Sequence, residues 1–229
     1  MKHHLIVIEG TDGCGKSTQC ELTARTLEAL GVDFKRLRFP RYENESSALL
    51  RMYLRGDFGK HPEDVNAYAA STFFAVDRYA SFRTDWKADY EAGRVIFSDR
   101  YTTSNAVHQS SKLEESQLKS FTDWLFSYEY DLLGLPRPSC VIFLDLPPEL
   151  SFAMLEKRQG EKGDIHELDH AYLCESYSRA KKLCIEQGWH RIPCDRGGKI
   201  RSAEEIQREI EAVIREELSE LLPRKGEQA

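Results

Sequence analysis

The sequence predicts a three-layer α/β fold, with a five-stranded parallel sheet covered by helices on both faces, and three observations predict it. Short apolar, β-branched runs alternate with longer stretches of helical periodicity, the order that a parallel sheet with right-handed crossovers requires. The first run, Leu5-Ile6-Val7-Ile8, passes directly into Gly10-Thr11-Asp12-Gly13-Cys14-Gly15-Lys16-Ser17. That loop fits the phosphate-binding pattern G-x-x-x-x-G-K-[ST] and stands where the pattern needs it, between a strand and a helix. No repeat, low-complexity tract or linker divides the 229 residues, so a single domain over residues 1–222, followed by a polar tail at 223–229, is expected.

After the loop, Glu21-Leu22-Thr23-Ala24-Arg25-Thr26-Leu27 continues a first helix with Gly31 as its C-cap. Phe34-Lys35-Arg36-Leu37-Arg38-Phe39 reads as a second strand, stopped by Pro40 and more exposed because of its charges. Ser46 to Leu54 is helical, and one long helix is expected from about Pro62 to Ala92, with Pro at its start and Gly93 past its end. Val95-Ile96-Phe97-Ser98 forms a third strand ending at Asp99-Arg100-Tyr101, and helical stretches follow at Ser104–Gln109 and Glu114–Tyr128. Val141-Ile142-Phe143-Leu144 is the fourth strand and ends at Asp145, before Pro147-Pro148 opens a helix. Between the next two helical patterns lies a polar, glycine-containing loop from Arg158 to Asp164. The fifth strand is short, near His190–Cys194, and a charged amphipathic helix runs from Ala203 to about Leu221.

Hydrophobic residues at 41% and charged residues at 31% match a folded globular chain rather than a disordered one. The net charge of −6 argues against bulk affinity for nucleic acid or an anionic membrane. Phosphate binding must therefore come from locally placed cations. Six cysteines without a Cys-x-x-Cys pair read as structural thiols rather than zinc ligands. The N-terminal apolar run is too short for a signal core and no stretch approaches membrane-spanning length, so a cytoplasmic location is expected.

The loop's composition follows from its chemistry. Gly10, Gly13 and Gly15 can take backbone angles closed to other residues, so successive N–H groups, from Cys14 on towards Thr18, turn inward as an anion nest. Lys16 can reach the outer phosphates, and the Ser17 hydroxyl can bind Mg²⁺. At the end of the third strand, Asp99 can hold the metal or its water shell opposite Ser17, and Arg100 can neutralise phosphate charge during transfer. Asp145, which also ends an apolar strand, is the competing metal-side acid.

Three blocks resemble the thymidylate kinase family of nucleoside monophosphate kinases, over most of the chain. They are Ile8 to Gln19; Phe39-Pro40-Arg41 with Leu49 to Leu54 and Phe74-Ala75-Val76-Asp77-Arg78; and Asp99-Arg100-Tyr101-Thr102-Thr103-Ser104-Asn105. The resemblance implies a P-loop kinase fold, ATP with Mg²⁺ and dTMP as substrates, and a homodimer, with no nucleic-acid partner. It places Asp12 on the sugar hydroxyl of the monophosphate, Phe39 and Leu54 in the acceptor pocket, and Arg41 on the acceptor phosphate, with Arg38 or Arg51 as substitutes. It assigns Phe74 to stacking on the pyrimidine, Arg78 to a carbonyl oxygen, Asn105 to the ring edge and Gln109 to a base or phosphate contact. His108 departs from the aromatic residue many relatives carry there. The loop at about 157–165 corresponds to a lid over ATP; because position 13 is glycine, where one branch of the family has its arginine, Arg158 and Lys162 are the candidate catalytic cations beside Lys16 and Arg100. Two other activities fit the same motifs: a kinase for another deoxynucleoside monophosphate or a nucleoside, and a nucleotide-binding regulatory switch, against which stands the lack of an Asn-Lys-x-Asp guanine signature.

Overall fold

The structure, a computed structural model, describes residues 2–156, 166 and 169–222. Residues 157–165, where the sequence places the expected lid with Arg158 and Lys162, and residues 223–229 lie outside the described residues. Five parallel strands, β1 (Leu5–Glu9), β2 (Phe34–Arg38), β3 (Val95–Asp99), β4 (Cys140–Asp145) and β5 (His190–Pro193), form one sheet in the order β2-β3-β1-β4-β5. The loop-bearing strand is therefore central, and the charged second strand is at an edge, as its composition requires.

The alternation of side chains shows why the inner strands read as continuous apolar runs. In β1, Leu5 and Val7 join one core while Ile6 and Ile8 join the other; in β4, Val141 and Phe143 are separated in the same way from Ile142 and Leu144. Both faces are covered, so no position can be polar without a partner. Helices α1 (Lys16–Ala29) and α9 (Ala203–Glu217) cover one face through Cys20, Leu27, Ile206, Ile210 and Ile214. The other face is covered by α5 (Thr102–His108), α6 (Glu115–Phe126) and α8 (His170–Glu186), with Phe82 and Trp86. A third apolar cluster joins α2 (Ala48–Leu54) to α3 (Ala67–Ser81) through Leu50, Tyr53, Leu54 and Ala70.

The expected helix from Pro62 to Ala92 is broken into pieces. Pro62–Asp64 makes one 3₁₀ turn, Val65 is extended, and Asn66 starts α3 by accepting a hydrogen bond from the Ala69 N–H at 2.9 Å. A π-helical turn at Phe82–Trp86 then separates α3 from α4 (Lys87–Glu91). A short hairpin, β6 (Asp195–Arg196) and β7 (Lys199–Ile200), was not expected; its turn is Gly197-Gly198, both at positive φ. Helix α7 (Pro148–Glu156) follows β4.

Candidate active site

The strand register brings the carboxyl ends of β1 and β3 side by side, with Ile8 opposite Asp99, where open parallel sheets place their ligands. The phosphate loop leaves β1 at that edge. A Cβ on Gly10 would lie 2.5 Å from Cys14 Sγ and 3.2 Å from the Leu144 carbonyl, so a side chain there would displace Cys14 and press on β4. Gly13 is left-handed (φ 80°) and its missing Cβ would meet the Ser151 carbonyl of α7 at 2.6 Å. Absence of a side chain at position 13 is thus a packing requirement of this loop as well as a gap in its charge. Gly15 (φ 88°) turns the chain into α1. Lys16 is nearly buried; its ammonium donates to the Gly10 and Thr11 carbonyls at 2.8 and 2.9 Å and lies 3.7 Å from Asp12 Oδ1. Burial pushes the Cys14 thiol up, so it packs uncharged behind the loop.

Among the described residues, Arg100 is the one non-glycine residue with a left-handed backbone, φ 66°, a conformation that costs on the order of 1–3 kcal/mol and needs support. Its N–H donates to the Ile8 carbonyl at 3.1 Å and its own carbonyl accepts from Ser98 Oγ at 2.7 Å. The turn swings the guanidinium back over the loop, where it pairs with Asp12, donates to Ser104 Oγ at 3.3 Å and donates to His108 Nε2 at 3.0 Å. Burial opposes ionisation of Asp12, but the charges of Arg100 and Lys16 outweigh it and hold the carboxyl well below the usual range. His108, buried and facing Arg100, is pushed down to about 3 and is neutral, in keeping with its role as acceptor.

A cavity of about 320 Å³ opens at this edge. Gly13, Gly15, Lys16, Ser17, Thr18, Asp99 and Arg100 line it together with Asp12, Phe39, Leu54, Phe74, Arg78, Asn105 and Gln109. Loop residues and the residues singled out for an acceptor nucleotide therefore share one space. Asn105 Nδ2 donates to the Ser71 carbonyl at 3.1 Å, which fixes the direction of the amide. Gln109 is fully buried, and neither polar atom of its amide has a hydrogen-bond partner; a ligand in the cavity would supply one. Arg78 is 2% exposed and bound in a fork to Glu129, at 2.7 and 2.5 Å, with Thr102 Oγ1 also donating to Glu129 at 2.7 Å. That pairing locks the guanidinium in place along the wall.

Gly10, Cys14 and Arg41 are not among the lining residues. Gly10 and Cys14 sit behind the loop surface. The Arg41 guanidinium turns to Asp77 at 3.7 Å and Asp85 at 4.0 Å, whereas Arg38, 68% exposed and 3.7 Å from Asp99, does line the cavity. Arg51 is tied to the Tyr42 and Asn44 carbonyls. Ser17 and Asp99 present a hydroxyl and a carboxylate to the same space, a donor set that suits Mg²⁺ when phosphate oxygens and water complete the shell. Asp145 is paired with Arg191 (Nε to Oδ2 2.5 Å), which makes it the poorer candidate.

Several lining or supporting residues were not legible beforehand. Met154 and His166 line the cavity, Tyr53 OH lies 2.8 Å from His166 Nε2, and Lys112 Nζ donates to Tyr53 OH at 2.8 Å. His166 stacks on His108, with ring centroids 6.0 Å apart and an interplanar angle of 9°. Glu9 and Glu129 are buried carboxylates whose partners are far away in sequence. The one available signal was an acidic residue at the end of an apolar strand, in Glu9.

Comparison with known proteins gives a match to the thymidylate kinase family model over residues 8–210. The chain is 32% identical over 190 residues to a thymidylate kinase from Mycobacterium tuberculosis (strain CDC 1551 / Oshkosh), covering 81% of this chain and 87% of the relative. It is 26% identical over 218 residues to a probable thymidylate kinase from Pyrococcus abyssi, covering 95% and 98%, and 26% identical over 220 residues to a thymidylate kinase from Arabidopsis thaliana, covering 94% and 72%.

Proposed function

Because the chain belongs to the thymidylate kinase family and is therefore a phosphotransferase, we propose that it moves the γ-phosphoryl group of ATP onto the phosphate of dTMP, giving ADP and dTDP for dTTP synthesis. One observation carries this reading: a single cavity is lined both by the phosphate loop and by Phe74, Arg78, Asn105 and Gln109, an aromatic face with amide and guanidinium groups suited to a pyrimidine.

The transfer needs positioning and charge neutralisation rather than a covalent nucleophile. The loop N–H groups and Lys16 hold the donor phosphates; an oxygen of the dTMP phosphate attacks in line; Arg100 stabilises the charge that spreads as the bond to ADP breaks. Arg158 and Lys162 are further cations in this reading, on sequence grounds alone. Ser17 and Asp99 would hold Mg²⁺, which when bound neutralises phosphate charge. Asp12, kept ionised by Arg100 and Lys16, accepts from the sugar 3′-hydroxyl. Phe39 and Leu54 fill the space around the acceptor, and Arg38 joins Arg41 as a candidate for its phosphate. The same reading includes one domain over 1–222, a cytoplasmic location and a homodimer. In support, no helix among the described residues is long and apolar enough to cross a membrane, and Val76 and Tyr79, a turn apart on α3, are 46% and 40% exposed. Light scattering at twice the monomer mass checks the dimer.

A coupled ADP-release assay across dTMP, dUMP, dCMP, dGMP, dAMP and thymidine tests the substrate. Highest kcat/KM for dTMP is expected. A preference for another monophosphate or for thymidine would overturn the assignment, as would nucleotide hydrolysis without transfer.

A further inference from the structure

The loop strand ends on a buried carboxylate that the reaction described above does not use. Glu9 is 1% exposed, and its two oxygens accept from three groups of the segment that follows β3: the Tyr101 N–H at 3.2 Å, Thr103 Oγ1 at 2.5 Å, and Ser104 Oγ at 2.7 and 2.9 Å. All of these groups lie immediately after Arg100. On its other side, the Arg100 N–H is bound to the carbonyl of Ile8, the neighbour of Glu9 in β1. Two adjacent residues of the loop strand therefore grip the chain on both sides of the left-handed residue.

The grip reaches the guanidinium as well. Ser104 Oγ, held by Glu9, is itself an acceptor for Arg100 Nη1. Arg100 then pairs with Asp12, which lies within 3.7 Å of the Lys16 ammonium. A path of direct contacts runs from Glu9 through Ser104 and Arg100 to Asp12, and so to both halves of the cavity. From this arrangement we infer that Glu9 is a positioning residue: it holds the Asp99-Arg100-Tyr101 turn in its left-handed form so that Arg100 points at the acceptor phosphate and Asp12.

An acceptor-only group is what the site requires, because every contact is made by an N–H or O–H. Burial pushes the Glu9 carboxyl up, and the nearby Arg100 charge and the Thr103 and Ser104 hydroxyls oppose that rise. Arg100 and Glu9 thus hold each other: the charge of one keeps the other in the form that positions it. Glutamine at this site keeps the shape and one carbonyl oxygen but aims an N–H₂ group at donors, so the turn loosens without a cavity.

The inference rests on dTMP as the acceptor. The experiment is a double-mutant cycle on dTMP affinity, measured by titration calorimetry, for the parent, Glu9→Gln, Arg100→Ala and the double variant. A loss of about tenfold is expected for Glu9→Gln in the parent and less than twofold in the Arg100→Ala background, since Glu9 acts through Arg100; in kinetics, KM for ATP stays within twofold while kcat falls. Thr103→Val, which removes one hydrogen bond and no charge, gives a smaller loss with the same dependence on Arg100 and covers the case in which Glu9→Gln does not fold. An equal loss in both backgrounds, or no loss in the parent background, would overturn the positioning role. Failure of the parent itself to bind dTMP would instead refute the substrate assignment.

Discussion

At the scale of single residues, the site is a set of charges placed by backbone geometry. Lys16 sits at the start of α1 with its ammonium against loop carbonyls, which the proposed mechanism has it exchange for phosphate oxygens. Lys16→Ala is expected to lower kcat by at least about a thousandfold, the scale of a lost charge clamp in phosphoryl transfer, while circular dichroism and the thermal midpoint stay near those of the parent. Arg78 and Glu129 make a different case. The pair is fully buried, so Glu129→Ala leaves an uncompensated guanidinium and should destabilise the fold by about 3–5 kcal/mol in denaturant titration. The motif residues were readable because each has a chemistry tied to local spacing: Gly10 to Ser17 in one loop, Asp99 and Arg100 at a strand end. Glu129 was not, because its partner Arg78 is 51 residues away and no local pattern marks the contact. His166 and Tyr53 were missed for the same reason. Arg41 shows the limit of register: a shift of a few residues decides whether Arg38 or Arg41 meets the cavity, and backbone direction after Pro40 is not written in residue type.

At the scale of elements, the strands were legible because burial on both faces leaves the inner ones no polar positions, and β2 stood out as an edge by its charges. The segment from Pro62 to Ala92 was not, because it carries two competing helix starts. Pro62 offers a first turn, but Asn66 supplies an acceptor that Pro62 cannot, and the chain takes the second start after an extended Val65. Asn66→Ala should therefore destabilise the protein by about 1 kcal/mol, seen as a fall in thermal midpoint of roughly 2–4 °C for a chain of this size. The start point also matters to the site, since α3 carries Phe74 and Arg78. The Gly197-Gly198 hairpin was not legible, because its two-residue strands are too short to show alternation.

For the molecule as a whole, the fold gathers several buried titratable groups at the carboxyl edge of the sheet, and stability should depend on pH through them. Asp12, Lys16, Arg100, Lys112 and His166 surround His108, whose imidazole is held neutral by burial and then by the Arg100 charge. His166 is likewise driven well down by burial. In the unfolded chain both take up protons below about pH 6.5, so the unfolded state binds more protons as pH falls. Their neutral burial is without penalty above about 6.5, and stability declines from there towards pH 3. At pH 5 the His108 share is about 2 kcal/mol, and His108→Gln should flatten that part of the urea-unfolding profile. In the proposed reading, this one cavity joins a donor-phosphate loop to an acceptor slot. The most direct measurement is chromatographic resolution of the products formed from ATP, Mg²⁺ and dTMP. One dTDP for each ADP, with neither formed by Lys16→Ala, is the predicted result; ADP appearing without dTDP would contradict it.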